Sequence, residues 1–135
     1  MKNTDLKLGV CGLLVGFATW MGLFYWDRTY THDAAGSLQG PYDIWQCVLA
    51  GLILLAGAVY CGRRYGFGVG MTYGLTATLG FDAGFALTAH NDVTGLWIFG
   101  LMVLTVAVML GMVIFVGLGA LMRKKSTGAS PARVD

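Results

Sequence analysis

The chain contains no glutamate: its seven acidic side chains are all aspartates. Charge of either sign is scarce. Charged residues fill 12% of the 135 positions, about half of the ~25% usual in a soluble domain. So thin a polar coat argues against an ordinary water-soluble fold. The net charge of +2 comes with no basic stripe, so no nucleic acid partner is expected. Cysteine is limited to Cys11, Cys47 and Cys61. None belongs to a CxxC pair and all sit in apolar blocks, which leaves no basis for a disulfide or redox role. No Ser/His/Asp or Cys/His arrangement, phosphate-cradling glycine loop or dinucleotide fingerprint occurs. Neither catalysis nor a cofactor is therefore expected.

What the chain has in quantity is apolar or small. Hydrophobic residues make up 56% of it, and it holds 21 glycines. Its mean hydropathy is +0.67. The apolar residues run in long blocks rather than in alternating or amphipathic patterns, which is the signature of membrane spans. Leu8 to Trp26 is nineteen residues without a charge, enough to cross a core of about 30 Å. Ala34-Ala35-Gly36 resembles a processing site, but the run is long for a signal core and the chain carries Met1, so it is expected to stay as the first span. Asp43, with Gln46 three residues later, reads as a capped start for a second span over 44–61, closed by Gly62. Arg63-Arg64-Tyr65 follows, and a third span over 66–89 begins almost at once. So tight a turn forces an antiparallel hairpin. His90-Asn91-Asp92 is a second tight turn, with Asp92 placed to cap a fourth span over 93–122. That span has thirty residues, about 45 Å of helix, so it tilts or projects beyond the bilayer. The reading is one all-α membrane domain over residues 1–125, a four-transmembrane-helix up-down bundle, with a disordered tail over 126–135.

Orientation follows from the positive charges. With four spans, Lys2, Lys7, Arg63, Arg64 and Arg123 to Lys125 fall on one side, and the opposite loops hold only Arg28. Trp26, Trp45 and Trp97 then mark the outer interface, and Tyr60 and Tyr65 the inner one. The expected protein is multi-pass in the cell (plasma) membrane, with both termini cytoplasmic.

Gly40-Pro41-Tyr42-Asp43-Ile44-Trp45-Gln46 ahead of one apolar span, and Thr94-Gly95-Leu96-Trp97 at the last, carry a resemblance. The chain resembles uncharacterised small four-span integral membrane proteins of actinobacteria. The resemblance implies the same topology and carries no chemistry with it.

The third block is the unusual one. Gly66, Gly70, Gly74, Thr78, Asp82, Ala86 and His90 follow at every fourth position, on nearly one helix face that drifts by about 40° per step. Interior glycines weaken a helix in water by roughly 1 kcal/mol each. In lipid they let a second backbone approach closely. Gly12 and Gly16 form a similar GxxxG pair on the first span. Both faces are expected to be covered by another helix, within the chain or across subunits. Asp82 is the costly residue. Asp5, Asp43 and Asp92 sit at helix starts, Asp27 has Arg28 beside it, and Asp33 lies in a polar loop. Asp82 instead falls about 10 Å inside the third span, where an uncompensated carboxylate costs about 2.5–3.5 kcal/mol or somewhat less. It must be protonated, paired or facing water. The structural reading gives it a hydrogen bond to Thr78, a neighbouring helix or water; the functional one makes it a coupling site.

His32, Asp33, His90 and Asp92 fall on the same outer side, and imidazole with carboxylate suits Zn²⁺ or Cu²⁺. No HxxxH spacing fixes such a site, so it stands as a secondary possibility. Two functions are compatible with these residues. One is a structural or accessory subunit that packs with another membrane chain or with its own copy in the lipid bilayer. The alternative is a homo-oligomeric transporter or channel for protons, ions or a small solute, with Asp82 in the pathway. Four spans enclose little space on their own, so that alternative demands at least a dimer.

Overall fold

The structure is a computed structural model and describes residues 2–26, 31–32, 34, 38–39, 43–89 and 97–127. It is a four-helix bundle: α1 Lys2–Leu23, α2 Ile44–Tyr65, α3 Phe67–Ala89 and α4 Trp97–Thr127. Between α1 and α2 the chain makes a two-residue antiparallel ladder that the apolar pattern does not foretell, pairing Thr31 with Gln39 and His32 with Leu38. Three helices are long and apolar enough to cross a membrane: α1 over Asn3–Leu23, α2, and α4 over Trp97–Arg123. The remaining helix, α3, is rich in Gly and Thr because most of its surface meets other helices rather than lipid.

The helix boundaries depart from the expected spans for local reasons. The helix α1 starts at Lys2 and stops at Leu23, short of Trp26. The helix α2 does not end at Gly62. It continues through Arg63 and Arg64 to Tyr65, and Gly66 caps it at φ +88°. Gly66 is thus the turn between α2 and α3, not a member of the packing stripe. Its amide donates to the Gly62 carbonyl and its own carbonyl accepts from the Gly70 amide, both at 2.9 Å. Any side chain there would be strained by the positive φ. At the start of α2, the backbone amide of Asp43 donates to Gln46 Oε1 at 2.8 Å, as the expected capping pair requires. Gln46 is buried and also donates from Nε2 to the Leu23 carbonyl at 2.9 Å. One amide side chain thereby satisfies the end of α1 and the beginning of α2. The helix α4 runs on through Ser126 and Thr127, expected in the tail over 126–135; the rest of that tail, 128–135, and the turn His90–Asp92 lie outside the described residues.

The helices alternate in direction, and the closest contacts join parallel partners. Gly12, Gly16 and Gly80 bring the backbones of α1 and α3 together: a Cβ at Gly16 would stand 2.8 Å from the Phe81 amide nitrogen, and one at Gly80 would stand 2.9 Å from the Leu13 carbonyl carbon. Gly62 and Gly119 do the same for α2 and α4, against Val116 and Val59. The helix α3 also packs antiparallel against α2 and α4, whereas among the described residues α1 and α4 do not meet. The arrangement is a triangle of α2, α3 and α4, with α1 laid along the free side of α3. Small residues decide it, since lipid tails compete equally for large apolar side chains and only close backbone approach adds dispersion energy.

The core follows from this geometry. Met112 and Val116 of α4 and Ala77 of α3 are fully buried, beside Leu54 and Ala58 of α2. At the Trp26 end, Trp20 stacks on Phe24 with centroids 4.6 Å apart and meets Phe81 and Phe85 edge-on at 5.1 and 5.0 Å. Gly84 makes room for that indole, since a Cβ there would lie 2.7 Å from Trp20 Cβ. The outward faces are bulky: Leu79, Val103, Val106, Leu110 and Leu121 are each at least 60% exposed.

Candidate functional site

Threonine hydroxyls inside the bundle bond to their own helices. Thr19 donates to the Val15 carbonyl at 2.7 Å, and Thr76 to Thr72 at 2.8 Å. Thr78 is almost completely buried and donates to the Gly74 carbonyl at 2.9 Å. Bonded back four residues, a threonine presents its methyl and behaves as a small apolar residue. Thr78 is therefore a packing residue. It does not serve Asp82, as the shared stripe had suggested.

The partner of Asp82 comes from α4. The Thr105 hydroxyl donates to Asp82 Oδ2 at 2.8 Å and stands 2.8 Å from the Leu101 carbonyl oxygen. The other carboxyl oxygen, Oδ1, is buried and has no hydrogen-bond partner among the described residues. Asp82 as a whole is partly exposed, at the edge of α3 where that helix turns from α4 toward its outward ridge of Leu75 and Leu79. The contact tying α3 to α4 is a carboxyl–hydroxyl pair, with no cationic side chain in α3 or in α4 before Arg123.

Thr105 was legible in principle. It is the single hydroxyl residue between Trp97 and Met122. Counted from the helix ends at Ala89 and Trp97, Asp82 and Thr105 lie seven and eight residues in, and Gly74 and Met112 fifteen each; the latter two meet across the same interface with 3.2 Å between a Cβ at Gly74 and Met112 Cβ. Pairing outward from a turn at His90–Asp92 does not find it, because α4 begins at Trp97 and that shifts the register.

The expected packing stripe divides. Gly70 and Gly74 face α4, with Gly70 also against α2: its Cβ would meet Val116 Cγ1 at 3.0 Å and the Gly62 amide nitrogen at 3.1 Å. They are covered within the chain, as are Gly12 and Gly16. A second stripe of Thr76, Ala77, Gly80 and Gly84 faces α1, and the period-four reading missed it. The acid that opens α1 is also unusual. Asp5 Oδ1 is buried without a partner among the described residues, beside a groove of about 520 Å³ lined by Leu6, Val10, Leu13, Thr72 and Thr76.

The sequence suggests His32, Asp33, His90 and Asp92 as metal ligands. Asp33, His90 and Asp92 lie outside the described residues, and of His32 only the backbone is described. Among the described residues no group of three His, Cys, Asp or Glu side chains comes together. Cys11 and Cys47 are exposed and Cys61 is buried, all three as free thiols. No protein-family model, curated protein or solved structure matches the chain. The Asp82 contact must be judged on its own chemistry.

Proposed function

We propose that this protein is a four-span integral membrane protein of the plasma membrane, with α3 as the fourth span and both termini cytoplasmic, serving as a structural or accessory subunit. The observation that carries the choice is the setting of Asp82. A transport pathway requires its carboxyl to face water. Instead one oxygen is engaged by Thr105 and the other is buried. This is a helix-to-helix contact, and it favours a scaffold over a conduit. The orientation is supported by the ends of the bundle. Lys7, Arg63, Arg64 and Arg123 are exposed at one end, and Trp26 and Trp45, 79% and 58% exposed, mark the other.

The partner surface also follows from packing. The glycine faces of α1 and α3 are occupied inside the protomer, so they are not free to receive another chain. The surfaces left for association are the bulky outer sides of the helices, among them that of α4 with Phe99, Met102 and Val103 at its start and that of α2 with Val48 and Leu52. Mild-detergent purification followed by mass measurement tests the reading. A defined complex, with its own copy or a second membrane chain, supports a subunit role. Proton or cation flux in proteoliposomes that Asp82→Asn abolishes would replace it with transport, and a strict monomer without flux would refute both readings.

A further inference from the structure

The contact between Asp82 and Thr105 holds one hydrogen too few if the carboxyl is charged. A threonine hydroxyl carries a single donor hydrogen. Yet Thr105 Oγ1 lies 2.8 Å from both Asp82 Oδ2 and the Leu101 carbonyl, and both distances are those of full O–H···O bonds. With a carboxylate, the hydroxyl must choose. If it turns to Leu101, Asp82 is left with no donor at all. If it turns to Asp82, the second carboxylate oxygen, Oδ1, still stands buried and unpaired, a heavy cost for a charge away from water. No countercharge among the described residues relieves it. The helix α4 has no titratable side chain from Trp97 to Met122, and the other titratable group of α3, Tyr73, is nine residues away. Over 8–23 of α1 and 44–62 of α2 the titratable groups are Cys11, Cys47, Tyr60 and Cys61, and the first three are exposed on the outer surface.

One extra hydrogen resolves every contact. We propose that Asp82 is a proton-binding site: its carboxyl is neutral at physiological pH and donates to Thr105 Oγ1, which passes its own hydrogen to the Leu101 carbonyl. Both 2.8 Å distances then become hydrogen bonds running in one direction. The buried Oδ1 becomes a neutral carbonyl oxygen, whose lack of a partner costs far less than that of a charged one. Mutual polarisation along such a chain strengthens each link. The inference rests on the membrane reading, because the absence of water around α3 makes the charged form costly.

Infrared spectroscopy of the full chain in lipid nanodiscs tests it. At neutral pH the wild type should show the C=O stretch of a protonated carboxylic acid, shifted downward in D₂O and lost in Asp82→Asn. In Thr105→Val the band should persist but move upward, because its hydrogen bond is gone. A hydrophobic carbodiimide, which adds the O–H of a neutral carboxyl across its C=N bond, should leave a mass adduct on the Asp82 peptide. That adduct should be at least tenfold weaker on Asp43, which is exposed. Wild-type bands of carboxylate alone, equal to those of Asp82→Asn apart from one ionised group, would overturn the proposal. Aqueous thiol labelling of Leu79→Cys, with Cys11, Cys47 and Cys61 replaced by serine, in the same nanodiscs reports on the membrane reading separately. Fast labelling there refutes burial in lipid, whatever the infrared shows.

Discussion

Gly80→Ala adds one methyl group at the point where α1 and α3 touch. The new Cβ would stand 2.9 Å from the Leu13 carbonyl carbon and 3.0 Å from the Phe17 nitrogen, with the Leu13 oxygen closer still. All three atoms are backbone, so no rotamer change relieves the overlap. Ordinary carbon contacts lie at about 3.5–4.0 Å, so the helices must part by on the order of 0.5–1 Å, forfeiting a quarter to a half of each contact's dispersion well. Overpacking of this kind costs about 1–3 kcal/mol. Gly117→Ala is the matched control. Its Cβ would meet nothing nearer than Phe67 Cε2 at 3.9 Å, and the helix gains up to about 1 kcal/mol from losing an interior glycine. That propensity gain is common to both variants and cancels, so they should differ by the overpacking cost of about 1–3 kcal/mol, or on the order of 10 °C in midpoint for a chain of this size. Thermal unfolding in one detergent, followed by circular dichroism, measures the difference. Equal midpoints would show that α1 and α3 are not held by backbone contact, and the reasoning about glycine would fail.

Two further outcomes follow from the same packing. Gly70→Leu should sharply lower the unfolding midpoint, because its side chain must enter a space where Val116 Cγ1 lies 3.0 Å from a Cβ, while Gly68→Leu, which meets nothing within 4 Å, should be tolerated. Like behaviour of the two would place the Gly70 face against lipid. Trp20 donates from Nε1 to Thr88 Oγ1 at 3.0 Å, so a double-mutant cycle with Trp20→Phe and Thr88→Val, read by thermal unfolding, should give a coupling of about 0.6–1.7 kcal/mol, the span seen for hydrogen bonds between membrane helices. A coupling of zero would mean that the indole is held by Phe24, Phe81 and Phe85 alone.

Much of the architecture is written in the sequence, because it depends on local chemistry. Long uncharged blocks determine helices, since backbone groups in lipid must be satisfied within their own segment. The pair Asp43 and Gln46 announces the start of α2. The every-fourth recurrence of Gly70, Gly74 and Thr78 announces a face that another helix covers. The identity of the covering helix was not legible, nor was the fate of Gly62 and Gly66. The sequence reads Gly62 as the cap and Gly66 as a packing position, and the structure exchanges the two: Val116 approaches Gly62, while Gly66 turns the chain.

The tertiary structure decided what the third helix touches and what its carboxyl does. Two stripes on one helix cannot be ranked from composition, because Gly80 and Gly84 look no different from Gly70 and Gly74 until neighbours are placed. The same holds for Asp82. Its position deep in an apolar block is a sequence fact, and so is the cost of leaving it uncompensated. Its compensation comes from Thr105, twenty-three residues away along the chain and on a different helix. That distance is the physical reason for the division. Helix formation and capping act over a few residues, whereas hydrogen bonding across a bundle depends on register and rotation, which only the packed assembly sets.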